Sequence, residues 1–155
     1  MLKDLGCEYV ILGHSERRQN FSETEEMISK KVEQALSNNI IPLVCVQGEE
    51  TPVPTDCKII AYEPTWAIST GLTNTPGAGR ADTPENALEA IKVIREFLIT
   101  NYKLQIVNCL YGGSVNEKNV EDFLQHPEIS GLVIGGASLR AEEFIHILKI
   151  AANIK

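Results

Sequence analysis

Two residues of this chain could do chemistry together. Glu63 directly follows the apolar run KIIAY and precedes Pro64, and His14 follows the apolar run YVIL by one glycine. A carboxylate can remove a carbon-bound proton while an imidazole polarises the neighbouring carbonyl, and an enolisation needs both. Each residue also has a plainer reading. Glu63 could cap a helix or pair with an arginine, and His14 could be a hydrogen-bonded group at a strand end. His126 beside Pro127 and His146 within the last helical stretch are not placed to compete.

For the pair to meet, the elements ahead of each must end on one rim. Five short apolar runs read as buried strands: YVIL at 9–12, IIPLVCV at 40–46, KIIAY at 58–62, IVNCLY at 106–111 and LVIG at 132–135. Their nearly continuous hydrophobicity suits a parallel sheet covered by helices. In such a sheet the loops beyond the C-terminal strand ends converge. His14, Glu49, Glu63, the turn Gly112-Gly113-Ser114 and the pair Gly135-Gly136 follow the five runs in that order.

Helices are expected between the strands. Ser22 with Glu25 reads as a capping box ahead of an apolar face of Ile28, Val32, Ala35 and Leu36. Thr83 caps a second helix with Pro84 in its first position, and Ala87, Leu88, Ile91, Ile94 and Leu98 recur at helical spacing. A third starts at Asn116 with Val120, Phe123 and Leu124 inward. A last one runs from about Leu139 with Ala141, Phe144, Ile145, Leu148 and Ala152 on one face. The alternation predicts an α/β fold with right-handed crossovers. One connection breaks it. The eleven residues QGEETPVPTDC at 47–57 contain Pro52 and Pro54, which exclude an ordinary helix. Extended, they can span roughly 35 Å, so a parallel return needs no crossover helix, and part of the sheet face is expected to stay uncovered.

Composition bounds the partners. A chain of 155 residues with 14 Lys and Arg against 21 Asp and Glu carries a net charge of −7 and has no basic run that could track a phosphate backbone. Nucleic acid and anionic membranes are not expected partners. No segment is long and apolar enough to span a bilayer, and Met1 is followed by Lys3 and Asp4 rather than by a signal-like apolar region. A cytoplasmic, single-domain protein over 1–155 is the expectation. Cys7, Cys45, Cys57 and Cys109 lack metal-ligand spacing and read as buried thiols. No metal and no cofactor is implied.

An acidic chain that binds an anion needs local positive potential, which helix N-termini and clustered backbone N–H groups can supply without a lysine, and the two glycine turns are where to look. One such turn is more often only a turn. Two at successive strand ends, each before a helix start, point to a phosphate. Segment 64–71, with Pro64, Trp66, Ala67, Ile68, Ser69, Thr70 and Gly71, reads either as a hinged lid that excludes water or as a surface loop anchored by Trp66.

Four motifs in this order, GHSERR at 13–18, YEPTWAISTG at 62–71, YGGSV at 111–115 and GGASL at 135–139, resemble the triosephosphate isomerase family over nearly the whole chain. The resemblance implies a parallel β/α barrel of the TIM type, with about five strands in this chain. It implies interconversion of dihydroxyacetone phosphate and glyceraldehyde 3-phosphate in glycolysis and gluconeogenesis. By the same resemblance His14 is the electrophile, Glu63 the catalytic base and Glu16 a supporting carboxylate. Ser69, Ser114, Gly135 and Gly136 hold the phosphate, and 64–71 is the lid.

The departures from the family pattern are specific. The first three strands have no counterpart here, nor do the Asn and Lys that the family places after its first strand or the third loop that forms its dimer. Ser69 and Leu72 stand where glycine and lysine are common. Gln47 is inserted before Gly48-Glu49, and a helix is replaced by the proline-rich segment. Five strands cannot close a barrel, so a homo-oligomer, a complementing N-terminal fragment or truncation of a longer product is expected. The alternative function is a catalytically impaired, phosphate-binding or self-assembling partial barrel.

Overall fold

The computed structural model describes residues 1–67, 82–104 and 108–154. Five strands, β1 (Tyr9–Leu12), β2 (Ile41–Val46), β3 (Ile59–Tyr62), β4 (Asn108–Tyr111) and β5 (Gly131–Leu132), form one sheet in chain order. Every neighbouring pair is parallel. Against them pack α1 (Ser15–Phe21), α2 (Glu25–Ser37), α3 (Pro84–Tyr102), α4 (Val120–Leu124) and α5 (Ala141–Ile154). This is the expected α/β architecture. The sheet is open, with β1 and β5 as its edges among the described residues.

Side chains alternate across each strand, so the central strands serve two cores. Leu12, Val44, Val46, Ile60, Tyr62, Cys109 and Tyr111 face the helices, where they meet Ile28, Val32, Ile91, Ile94, Leu98, Val120 and Phe123. The Tyr111 and Phe123 rings stack with centroids 4.3 Å apart. The opposite face carries Leu43, Cys45 and Ala61, flanked by Ile59, Leu110 and Val133. Register places Tyr9 and Ile11 on this second face, at the β1 edge, where they are 57% and 46% exposed.

The connection between β2 and β3 corrects one expectation. No helix forms at 47–57, as the prolines require, yet the sheet is not left bare. Val53 and Cys57 turn inward and join the helix-side core at 4% and 1% exposure, and the Cys57 thiol donates to Ile59 O at 3.0 Å.

Helix starts show where sequence signals compete. The Ser22–Glu25 capping box does not form. Residues 15–21 coil into α1, and Ser22 closes that helix in the left-handed region at φ +51°. Thr24 is the actual cap of α2, its hydroxyl accepting from Met27 N–H at 3.3 Å, and Leu36 is exposed. Thr83 caps α3 as expected, with Pro84 next. Asn116 makes a turn rather than a helix start, its Oδ1 accepting from Lys118 N–H at 2.9 Å, and α4 begins after Asn119.

Two further readings shift at the C-terminal end. The ladder of β5 covers only Gly131–Leu132, although Val133 N–H still donates to Tyr111 O at 2.8 Å. In α5, Ile147 is buried and Ile150, Ala151 and Ile154 pack against the core, while Ile145, Leu148 and Ala152 point out. That helix is apolar on two faces, and only one has a sheet to bury against.

Two substitutions test this description. Ser22→Gly removes the Cβ strain of a left-handed position and should raise unfolding free energy by about 1 kcal/mol in urea titration. Val53→Ala should lower it by about 2 kcal/mol, because a plug for an absent helix has no neighbour to relax into its place.

Candidate active site

Each half of the pair is set by the end of a parallel strand. β1 stops at Leu12, and Gly13 turns at φ +69°, a conformation open to glycine at no steric cost. His14 then caps α1 with its ring, Nδ1 accepting from Glu16 N–H at 3.3 Å. With Nδ1 an acceptor, the proton of a neutral ring lies on Nε2. That atom is 3.2 Å from Glu63 Oε1.

Glu63 is held from the other side. Its N–H extends the ladder past β3 by donating to Val46 O at 2.8 Å, and Pro64 keeps its backbone extended. Its Oε2 accepts the Ser15 N–H at 3.1 Å, one of the otherwise orphaned donors at the start of α1. The Cys45 thiol of the neighbouring strand also donates to it. Gly112 lies so close that a Cβ there would come within 3.1 Å of Glu63 Cγ. Backbone must pass where any side chain would displace the carboxylate.

Burial dominates the electrostatics. Glu63 is 1% exposed, and loss of water pushes its carboxyl above the usual carboxylate range. The nearby His14, the Ser15 N–H and the Cys45 thiol pull the other way without cancelling it. Cys45 itself is driven far up by burial and then by the Glu63 charge, so it stays a thiol and a donor.

His14, Glu16, Glu63, Gly112, Gly135 and Gly136 line one cavity of about 440 Å³. Glu49, grouped with them by strand order, lines a separate hollow beside Tyr62 and α3. The Ser114 N–H and hydroxyl both donate to Ala67 O, at 3.0 and 2.6 Å. Of the lid segment, Pro64 and Ala67 are buried, Trp66 is half-buried, and Thr65–Ala67 forms a turn of 3₁₀ helix. In the surface-loop reading Trp66 is the anchor, and its half-buried position fits both that reading and the lid. Ile68, Ser69, Thr70 and Gly71 lie outside the described residues.

Two contributors were missed from sequence, the Ser15 N–H and the Cys45 thiol. Ser15 was concealed because a histidine is an unusual cap and the short helix after it went unread. Cys45 was findable from strand parity, since Leu43, Cys45 and Ala61 share the sheet face away from the helices.

The triosephosphate isomerase family model matches residues 1–56 and 50–151. Curated relatives of that name include one from Caldanaerobacter subterraneus subsp. tengcongensis, 41% identical over 96% of this chain and 67% of its own length. One from Roseiflexus castenholzii is 40% identical over 96% and 65%, and one from Dehalococcoides mccartyi is 42% identical over 100% and 67%. The chain belongs to the triosephosphate isomerase family.

It spans about two thirds of the length of these triosephosphate isomerases. It also lacks residues within the matched region. The 179-position alignment takes in all 155 residues, so at least 24 positions of the D. mccartyi triosephosphate isomerase stand opposite gaps. The family match breaks at 50–56, within the extended connection plugged by Val53 and Cys57.

The raised Glu63 carboxyl has a measurable sign. Between its ordinary and raised pKa the folded chain holds a proton that the unfolded chain releases, so this residue's contribution to stability is full at low pH and is lost as pH rises. Glu63→Gln cannot ionise. Thermal melts from pH 4 to 8 should therefore show the variant gaining on the parent as pH rises. A constant difference across that range would contradict the assignment.

Proposed function

We propose that this chain interconverts dihydroxyacetone phosphate and glyceraldehyde 3-phosphate by proton transfer through an enediolate. The observation that carries the proposal is the 3.2 Å approach of His14 Nε2 to the buried Glu63 carboxylate within one cavity. In this reading Glu63 removes the proton from the carbon beside the carbonyl and returns it to the neighbouring carbon. Its raised pKa suits a base that must both take a proton and give it back. His14 donates from Nε2 to the oxygen that gains charge. The family is itself the standard example of this pairing of a neutral histidine with a glutamate base. Glu16, whose N–H fixes the ring, is the supporting carboxylate.

The phosphate is assigned to Gly135 and Gly136, whose open surroundings would let a ligand reach the backbone, together with Ser114 and Ser69. Ser114 can serve only by giving up Ala67 O. The 64–71 segment is assigned as the lid. The step moves protons with no net redox change, so the proposal includes no cofactor. A cytoplasmic, single-domain protein completes the reading; among the described residues no helix is long and apolar enough to cross a membrane.

Turnover depends on what meets the open sheet. The edges at β1 and β5 and the exposed Tyr9 and Ile11 support association with a second copy or with a complementing segment of the family barrel. The family's Asn and Lys after its first strand belong to the part of the barrel outside this sheet. Loss of one such oxyanion donor typically costs about 3 kcal/mol of transition-state stabilisation.

Mass in solution and isomerase activity should be measured on the same purified fraction. Activity is expected to run with an assembled species, and Glu63→Gln and Glu63→Asp should each lower turnover by about 10²-fold or more. Equal turnover in Glu63→Gln would remove the proposal. Binding of a phosphate-bearing enediolate mimic without turnover would favour the impaired phosphate-binding alternative.

A further inference from the structure

We propose that Arg18 is a positioning residue for the His14–Glu63 pair, acting through the two backbone carbonyls that flank it. The inference rests on the reading of that pair given above. Arg18 stands near the end of α1, and its side chain is 14% exposed. Its Nε donates to Gly13 O at 2.6 Å, and its Nη2 to Cys45 O at 3.4 Å. The remaining face of the guanidinium is taken by the Glu25 carboxylate, through Nη1 to Oε1 and through Nη2 to Oε2 at 3.5 Å.

Both carbonyls belong to residues that matter. Gly13 O is part of the peptide that delivers His14, at the point where the chain turns at φ +69°. A Cβ on Gly13 would come within 3.0 Å of Arg18 Nη2, so the guanidinium packs directly on that turn. Cys45 is the residue whose thiol donates to Glu63. One rigid planar group therefore ties the backbone that aims the imidazole to the strand that supports the carboxylate. Its several donors point in fixed directions, which a lysine ammonium on a flexible stem cannot reproduce.

The neighbouring arginine shows that this is not a general property of the helix. Arg17 is directed to Glu23 at 3.0 Å, and its guanidinium carbon lies 5.0 Å from the Phe21 ring centroid. That contact joins α1 to the start of α2 and leads away from the cavity.

The test is nuclear magnetic resonance of the chain labelled with ¹⁵N-histidine, comparing the parent with Arg18→Lys, Glu25→Gln and Arg17→Ala. In the parent, His14 should show an acceptor Nδ1 and a slowly exchanging Nε2–H. Arg18→Lys should keep its far-ultraviolet circular dichroism but shift the His14 signals and speed Nε2–H exchange at least tenfold. Glu25→Gln, which loosens Arg18 without removing it, should move the same signals in the same direction by less, and it serves if the lysine variant does not fold. Arg17→Ala should leave them in place. Where isomerase activity is measurable, Arg18→Lys should lower kcat about tenfold with KM little changed. Unchanged His14 signals in both Arg18→Lys and Glu25→Gln, or an equal change in Arg17→Ala, would overturn the proposal. Absence of activity in the parent would count against the proposed function and leave the spectroscopic comparison to decide this one.

Discussion

The buried Glu63 carboxylate is the constraint on which the rest of the site depends. A carboxylate so fully removed from water would ordinarily be neutral or absent, because desolvation of an unpaired charge costs several kcal/mol. Here it is met by an imidazole and a helix-start N–H from the β1–α1 junction and by a thiol from β2. None alone offsets the burial, as the raised pKa shows. The strand ends must therefore be in register with one another. The parallel pairing of Cys45 with Ala61 and of Val46 with Tyr62 brings the donor thiol level with the start of the Glu63 turn.

How much of this was legible depended on how local the signal was. Thr83 followed by Pro84 is a cap whose two residues say the same thing, and α3 begins there. Ser22 and Glu25 also fit a local pattern, but His14 caps α1, and Ser22 ends that helix rather than starting the next. In α5 two apolar faces compete, and only the position of the sheet decides that Ile147 goes in and Leu148 stays out. His14, Glu16, Glu63, Gly135 and Gly136 could be grouped because each follows a strand, and strand ends in a parallel sheet converge. Glu49 satisfies the same rule and lies elsewhere. Its loop is the one that departs from the rhythm, where a proline-rich return replaces a helix and carries the chain aside.

That return is also a solution to a packing problem. Removing a helix from a β/α layer exposes the outward side chains of two strands, and the cost scales with the apolar area uncovered. Val53 and Cys57 recover part of it with two small side chains from an extended segment, which orders far fewer residues than a helix would. Among the described residues no comparable plug covers β1, where Tyr9 and Ile11 remain in water on the other sheet face. The chain thus fills an internal gap from its own residues, while Tyr9 and Ile11 stay exposed at its sheet edge.

Ser114 ties the loop after β4 to the turn that follows Glu63. Its N–H and hydroxyl hold Ala67 O, and Ala67 closes the 3₁₀ turn that starts two residues after Glu63. A single N–H cannot donate fully to that carbonyl and to a phosphate oxygen at once. If a ligand phosphate takes it, the Ala67 carbonyl must find another donor or the turn must shift. Any such shift begins at Pro64, bonded directly to Glu63. Occupancy at the anion end would in this way be felt at the carboxylate through backbone alone. Such a link would work in both directions, because whatever moved the turn away from Ser114 would also free its N–H.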